Sequence, residues 1–405
     1  MILVIKLLII VAGLIVFLRL KLSLIVSILL STALTIILLQ VNVKTALISS
    51  AEILVEQKTI QLLVIMFMVL YIGAVMKSKQ MFVKLINSLN CFIRDERIVA
   101  MVGPAILGFL PSPGGALLSA PMVEASIKKM NWKPEFSTFI NFWFRHFWEF
   151  VWPVYAGLLL FQAMSGIPLK KIILYQSPFT VLNICTGLLV SFAYFRKYKI
   201  RRELPDNKNN IIGTTKEFFE GFWPILLVVL LFFVISLPLY LSLICAALLL
   251  TLITRLKVKE ILSLLFSKFI LKTSLLIVSV LVFQKILSIS PAFEVLKTWD
   301  ISLGMIVLFA FFISFTMGFL TGVNVAYIAI AYPILFPLIE HLPNFFYLSL
   351  YIYVIGFAGI LLSPLHLCLV LTNEYFKSSL YRVYKYMAFP VGMMVAVSTA
   401  LVLLL

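Results

Sequence analysis

Gly103-Pro-Ala-Ile-Leu-Gly-Phe-Leu-Pro-Ser-Pro-Gly-Gly-Ala-Leu-Leu-Ser-Ala-Pro121 is the stretch on which the fold turns. It lies in an apolar run, yet its helix breakers would free backbone N–H and C=O groups that lipid cannot satisfy. A second such stretch is Met317-Gly-Phe-Leu-Thr-Gly-Val-Asn-Val-Ala-Tyr-Ile-Ala-Ile-Ala-Tyr-Pro333. Broken segments at matching places in two halves of a chain point to the binding site of a secondary transporter.

Composition sets the frame. The chain has 405 residues, 63% of them hydrophobic and 12% charged. That much apolar surface implies an all-α polytopic membrane protein. The net charge of +17 does not imply nucleic acid, because the basic residues sit in short loops between apolar runs. Four scattered cysteines, Cys91, Cys185, Cys245 and Cys368, have no CxxC spacing. They read as small apolar residues, and neither a disulfide framework nor a metal site is expected. Residues 2–18 lack a basic leader and a small-residue cleavage site, so they read as a retained first span.

Hydropathy places spans near 2–18, 22–39, 60–76, 136–163, 171–194, 219–236, 239–254, 269–289, 345–376 and 386–405. The interrupted segments, 98–126 and 302–336, read as re-entrant hairpins. One side of the membrane collects 24 of the 33 Lys and Arg residues and should be cytoplasmic. Both termini then face outward. Each half has three spans, a hairpin and two spans, and five crossings per half invert the second copy. Residues 1–194 form the first repeat, 195–217 a basic cytoplasmic linker and 218–405 the second repeat. Gly108-Phe-Leu recurs as Gly318-Phe-Leu, and Trp152-Pro153 has its counterpart in Ser363-Pro364. Both Pro dipeptides should break the helix that follows each hairpin.

The candidate site residues come from these breaks. Pro111, Ser112, Pro113, Gly114 and Gly115 should form the first tip, where a helix N-terminus offers N–H groups to an anion. A Pro-kinked span is the bland alternative. Thr321, Gly322 and Asn324 should form the second tip, although Gly and Asn also occur in ordinary packed spans. Arg145 and Glu149 stand four residues apart and can pair on one helix face, functionally or structurally. Arg145 is a candidate for a substrate carboxylate, and His146 or Glu149 for a coupling ion. Ser363 and His366 offer polar groups beside the second break. Enzyme motifs are lacking: His146-Phe-Trp-Glu149 has the wrong register for HExxH, and GxSxG and the P-loop do not occur. No enzyme activity and no cofactor are expected.

Gly108-Phe-Leu-Pro-Ser-Pro-Gly-Gly-Ala-Leu-Leu-Ser-Ala-Pro-Met-Val123, Trp143-Phe-Arg-His-Phe-Trp-Glu149 and Ser363-Pro-Leu-His-Leu-Cys368 resemble an uncharacterised prokaryotic membrane family, the domain of unknown function 401. It is placed with the ion transporter superfamily, near gluconate permeases. The resemblance implies two inverted repeats of five helices, each with a hairpin, and a homodimer in which a hairpin-bearing domain moves against a scaffold. The second tip lacks the Ser-Asn-Thr-like runs of some relatives.

The expectation is therefore a secondary transporter in the cell membrane, carrying a small organic, carboxylate-like anion with H+ or Na+. A cation/proton antiporter or exporter is the alternative within transport. A non-transporting scaffold or receptor is the alternative outside it.

Overall fold

The structure, a computed structural model, describes residues 2–20, 22–81, 84, 85, 88, 93, 95–109, 115–130, 132–198, 211–291 and 301–404. Among these residues the chain is all helix and turn, with no strand. Six helices among the described residues are long and apolar enough to cross a membrane, and the protein is a membrane protein. Exposed Ile37, Val234 and Leu252 on the outer faces fit a lipid surround.

The first half begins with α1 (Ile2–Arg19), α2 (Leu24–Leu38), α3 (Val43–Val55) and α4 (Gln57–Ser78). Next come α5 (Glu96–Gly108) and α6 (Ala116–Met130), which pack together where the first hairpin is expected. The apolar window 136–163 is divided into α7 (Pro134–His146) and α8 (Ala156–Ser165), and α9 (Leu169–Lys197) follows. The second half holds α10 (Ile211–Val229), α11 (Leu239–Thr254), α12 (Val258–Leu265) and α13 (Lys268–Ser288). Its hairpin is α14 (Leu303–Thr321) with α15 (Asn324–Ile339). Then come α16 (Phe345–Leu361), α17 (Leu367–Phe376) and α18 (Leu380–Leu404).

Four helix starts repeat at one spacing. Gln57, Pro134, Ala156 and Leu169 recur 211 residues later as Lys268, Phe345, Leu367 and Leu380. Both interrupted spans therefore break at the same place in their halves. Helices α3 and α12 lie outside the hydropathy spans because Lys44, Glu52, Lys259 and Glu260 dilute their apolar residues. The expected linker, 195–217, is shorter than read: α9 continues to Lys197 and α10 begins at Ile211. Its residues 199–210 lie outside the described residues.

Proline and its predecessor explain the breaks. Pro153 and Pro364 lack an N–H, and the residue before proline is pushed away from the α region. The chain re-enters helix through Tyr155 and His366, both extended N-cap residues. Every residue of 136–146 is buried, as is every residue of 348–361. Helices buried on all sides sit at the centre of a bundle. The broken helices therefore form the core, and long helices such as α18 surround them.

Candidate functional site

The last turn of a helix leaves carbonyls without intrahelical partners. At the end of α5 the first break supplies three of those partners and the C-cap residue the fourth. Trp148 Nε1 donates to Ala105 O at 2.7 Å and Arg145 Nη1 to Leu107 O at 3.0 Å. The Tyr155 hydroxyl donates to Gly108 O, and the Phe109 N–H to Ile106 O. All four terminal carbonyls are thus bonded, which is what a buried helix end requires. The approach is close: a Cβ on Gly108 would collide with the backbone carbonyl of Arg145.

The second half repeats the device. Ser363 Oγ donates to Phe319 O at 2.6 Å, and His366 Nδ1 lies 2.6 Å from Gly322 O. Gly322 has φ +62 and donates its N–H to Gly318 O, closing α14 in a left-handed cap. Tyr155 and His366 are equivalents at the 211-residue spacing, and each bonds the carbonyl of a hairpin glycine. Trp152 stands where Ser363 stands in the other half. Its buried indole nitrogen has no partner among the described residues.

Between the breaks lies a buried polar cluster that joins the two halves. Asn324 Nδ2 donates to Glu149 Oε2 at 2.6 Å and to the Tyr353 hydroxyl at 3.3 Å. The Tyr353 hydroxyl in turn donates to Glu149 O at 2.7 Å. Phe150 and Phe161 pack their rings against Tyr353, with centroids 6.2 and 5.2 Å away. The ring is thereby held in position. His146 and His366 meet through their Nε2 atoms at 3.1 Å. Cys368 stands beside them, the three donor atoms lying within 4.8 Å of one another.

Of the residues expected from sequence, Arg145, His146, Glu149, Gly322, Asn324, Ser363 and His366 gather at the two breaks and the second turn. Gly115 is buried at the start of α6. Thr321 bonds its own helix at Met317 O. Pro111, Ser112, Pro113 and Gly114 lie outside the described residues. The reading of Arg145 and Glu149 as neighbours four apart on one helix assumed a continuous helix. Instead α7 ends at His146 and Phe147–Phe150 form a 3-10 turn, so Glu149 swings toward Asn324.

Three participants escaped the sequence reading. Tyr353 and Cys368 sit in apolar runs that give no local signal. Asn141, fully buried, donates to Ala116 O at 3.0 Å and Thr372 Oγ1 at 3.1 Å, tying α7 to α6 and α17. An amide inside an apolar span was its only clue. On the outer face of the second turn lies a cavity of about 420 Å³, lined by Ile15, Arg19, Leu320, Thr321 and Leu365 among others.

A family described as protein of unknown function (DUF401) matches residues 2–405. The chain belongs to that family. No curated protein matches the chain.

Proposed function

We propose that this member of the DUF401 family is a secondary active transporter of a small carboxylate-like anion, driven by a proton or sodium gradient. One observation carries the reading. Helices of both hairpins are latched to the broken helix of their own half, and Asn324 of the second hairpin reaches Glu149 in a polar cluster that spans both halves. Irregular backbone at membrane depth persists where it lines a cavity or lies within protein, and discontinuous helices of this kind form transporter sites. In this reading the halves are inverted repeats of five spans with one re-entrant hairpin each. The basic loops face the cytoplasm and both termini face outward across the cell membrane. The family stands with the ion transporter superfamily, near gluconate permeases, and the carrier works as a homodimer by an elevator motion.

The anion sits between Arg145, beside the end of α5, and the second hairpin turn. Arg145, held by its bond to Leu107 O, adds positive charge on that side, and the cavity beside Thr321 with its Arg19 offers an approach. Glu149, with Asn324 fixing its orientation, forms the cation side together with His146 and His366. A cation carrier is the second reading, favoured by the buried Glu149 and His146 and the half-buried His366 in one cluster.

The test is uptake by protein reconstituted into liposomes, using labelled gluconate, lactate and dicarboxylates with proton or sodium gradients imposed in turn. Gradient-driven uptake is expected, and Glu149→Gln should remove its dependence on the gradient. No uptake of any acid under either gradient refutes the anion reading. Uptake that is driven identically in Glu149→Gln refutes the assignment of the coupling side.

A further inference from the structure

We infer that His146, His366 and Cys368 form a binding site for a soft transition-metal ion of the Zn2+ or Cu+ class. The inference goes beyond the transport reading and does not depend on it.

The tautomers follow from the partners. His146 Nδ1 lies 2.6 Å from Phe142 O, and His366 Nδ1 lies 2.6 Å from Gly322 O. A carbonyl only accepts, so each Nδ1 carries the hydrogen, and in the neutral ring each Nε2 presents a lone pair. The two lone pairs then face each other across 3.1 Å. Nothing attractive joins them until a cation lies between. Two metal–nitrogen bonds of about 2.0–2.1 Å, meeting at roughly 100°, give that separation. An Nδ1–H held by a backbone carbonyl is also the usual outer support of a metal-binding histidine.

Cys368 decides which cation. Its Sγ is within 4.8 Å of both imidazole nitrogens, and the residue is buried. A shared proton engages only the two imidazoles, whereas a metal ion engages the thiolate as well. A thiolate beside two imidazoles selects Zn2+ or Cu+ over Mg2+ or Ca2+, which prefer oxygen. On binding, the thiol proton leaves to solvent and sulfur takes its place on the metal. The Phe142 ring lies against both imidazoles, with centroids 4.4 and 5.5 Å away, and fixes their planes. Three protein ligands leave the fourth tetrahedral position open to water or a further ligand. The ligands come from the end of α7 and the start of α17, and the carbonyl behind His366 belongs to the second hairpin turn. A bound ion therefore ties both breaks and one hairpin together.

The test uses the full chain, purified in detergent, stripped with a chelator and kept reduced, then titrated with Co2+. One equivalent should bind with tetrahedral d–d bands and a sulfur-to-cobalt charge-transfer band, and Zn2+ should displace it. Cys368→Ser should abolish the charge-transfer band. Even outer-shell partners are worth about 10–100-fold in affinity, so His366→Ala should weaken binding at least about tenfold. A variant with Ser at Cys91, Cys185 and Cys245 should keep the full spectrum. Gel filtration and circular dichroism verify that each variant is folded. Absence of tetrahedral cobalt in the folded wild-type chain overturns the site. So does a charge-transfer band that survives Cys368→Ser, and either result leaves the anion reading untouched.

Discussion

Replacing Gly322 by Ala tests whether the second hairpin is latched as described. Gly322 has φ +62, and a left-handed conformation costs an L-residue roughly 1–2 kcal/mol. The new Cβ would also lie 2.7 Å from His366 N, 2.8 Å from the Leu365 carbonyl carbon and 2.9 Å from Ser363 Oγ. Two of these three atoms are backbone, so no rotamer change relieves the overlap, and overpacking of this kind adds about 1–3 kcal/mol. The combined loss is about 2–5 kcal/mol. Gly392→Ala is the control. That glycine lies inside α18 with nothing within 4 Å of its Cβ position, and Ala there should stabilise by about 0.5–1 kcal/mol. Thermal unfolding of both variants in one detergent, followed by tryptophan fluorescence, reads the difference. The same substitution should weaken cobalt binding, because it pushes His366 away from the carbonyl that orients it. Equal unfolding temperatures for Gly322→Ala and Gly392→Ala would refute the latch.

Tyr353→Phe should destabilise by about 1–3 kcal/mol, since Glu149 O loses its donor and Asn324 one of its acceptors while the ring packing is kept. Unfolding of the single and double variants with Asn324→Ala should give a coupling energy well above zero, and strict additivity would count against the cluster. Trp148→Phe removes the donor to Ala105 O and should cost about 1–3 kcal/mol. Thermal unfolding beside wild type reads the loss; an unchanged unfolding temperature would show that the indole bond does not secure the end of α5.

Much of the helical layout was legible because its causes are local. Hydropathy located most of the long helices, though α10 and α18 begin eight and six residues before the spans read for them, and Trp152-Pro153 and Ser363-Pro364 located the breaks. Proline alone did not suffice: Pro104, Pro121, Pro178, Pro333, Pro337 and Pro390 all lie inside helices. The polar or bulky neighbours and the matched spacing set the breaking pair apart. Helices α3 and α12 were missed because their charges lower the hydropathy on which the spans were read.

The sequence by itself determined that the chain is a helical membrane protein, where most of its apolar helices lie and where two apolar stretches break. Apolar content, missing N–H groups and the pre-proline restriction act within a few residues and need no partner. Only the tertiary structure decided which polar groups meet. Glu149 faces Asn324, 175 residues away, because a 3-10 turn rotates it off the helix face it would share with Arg145. His146 meets His366 across 220 residues, and Cys368 joins them although no spacing marks it as a ligand. Such contacts depend on how the halves close on each other, and the closure is set by many packed side chains together rather than by any one stretch.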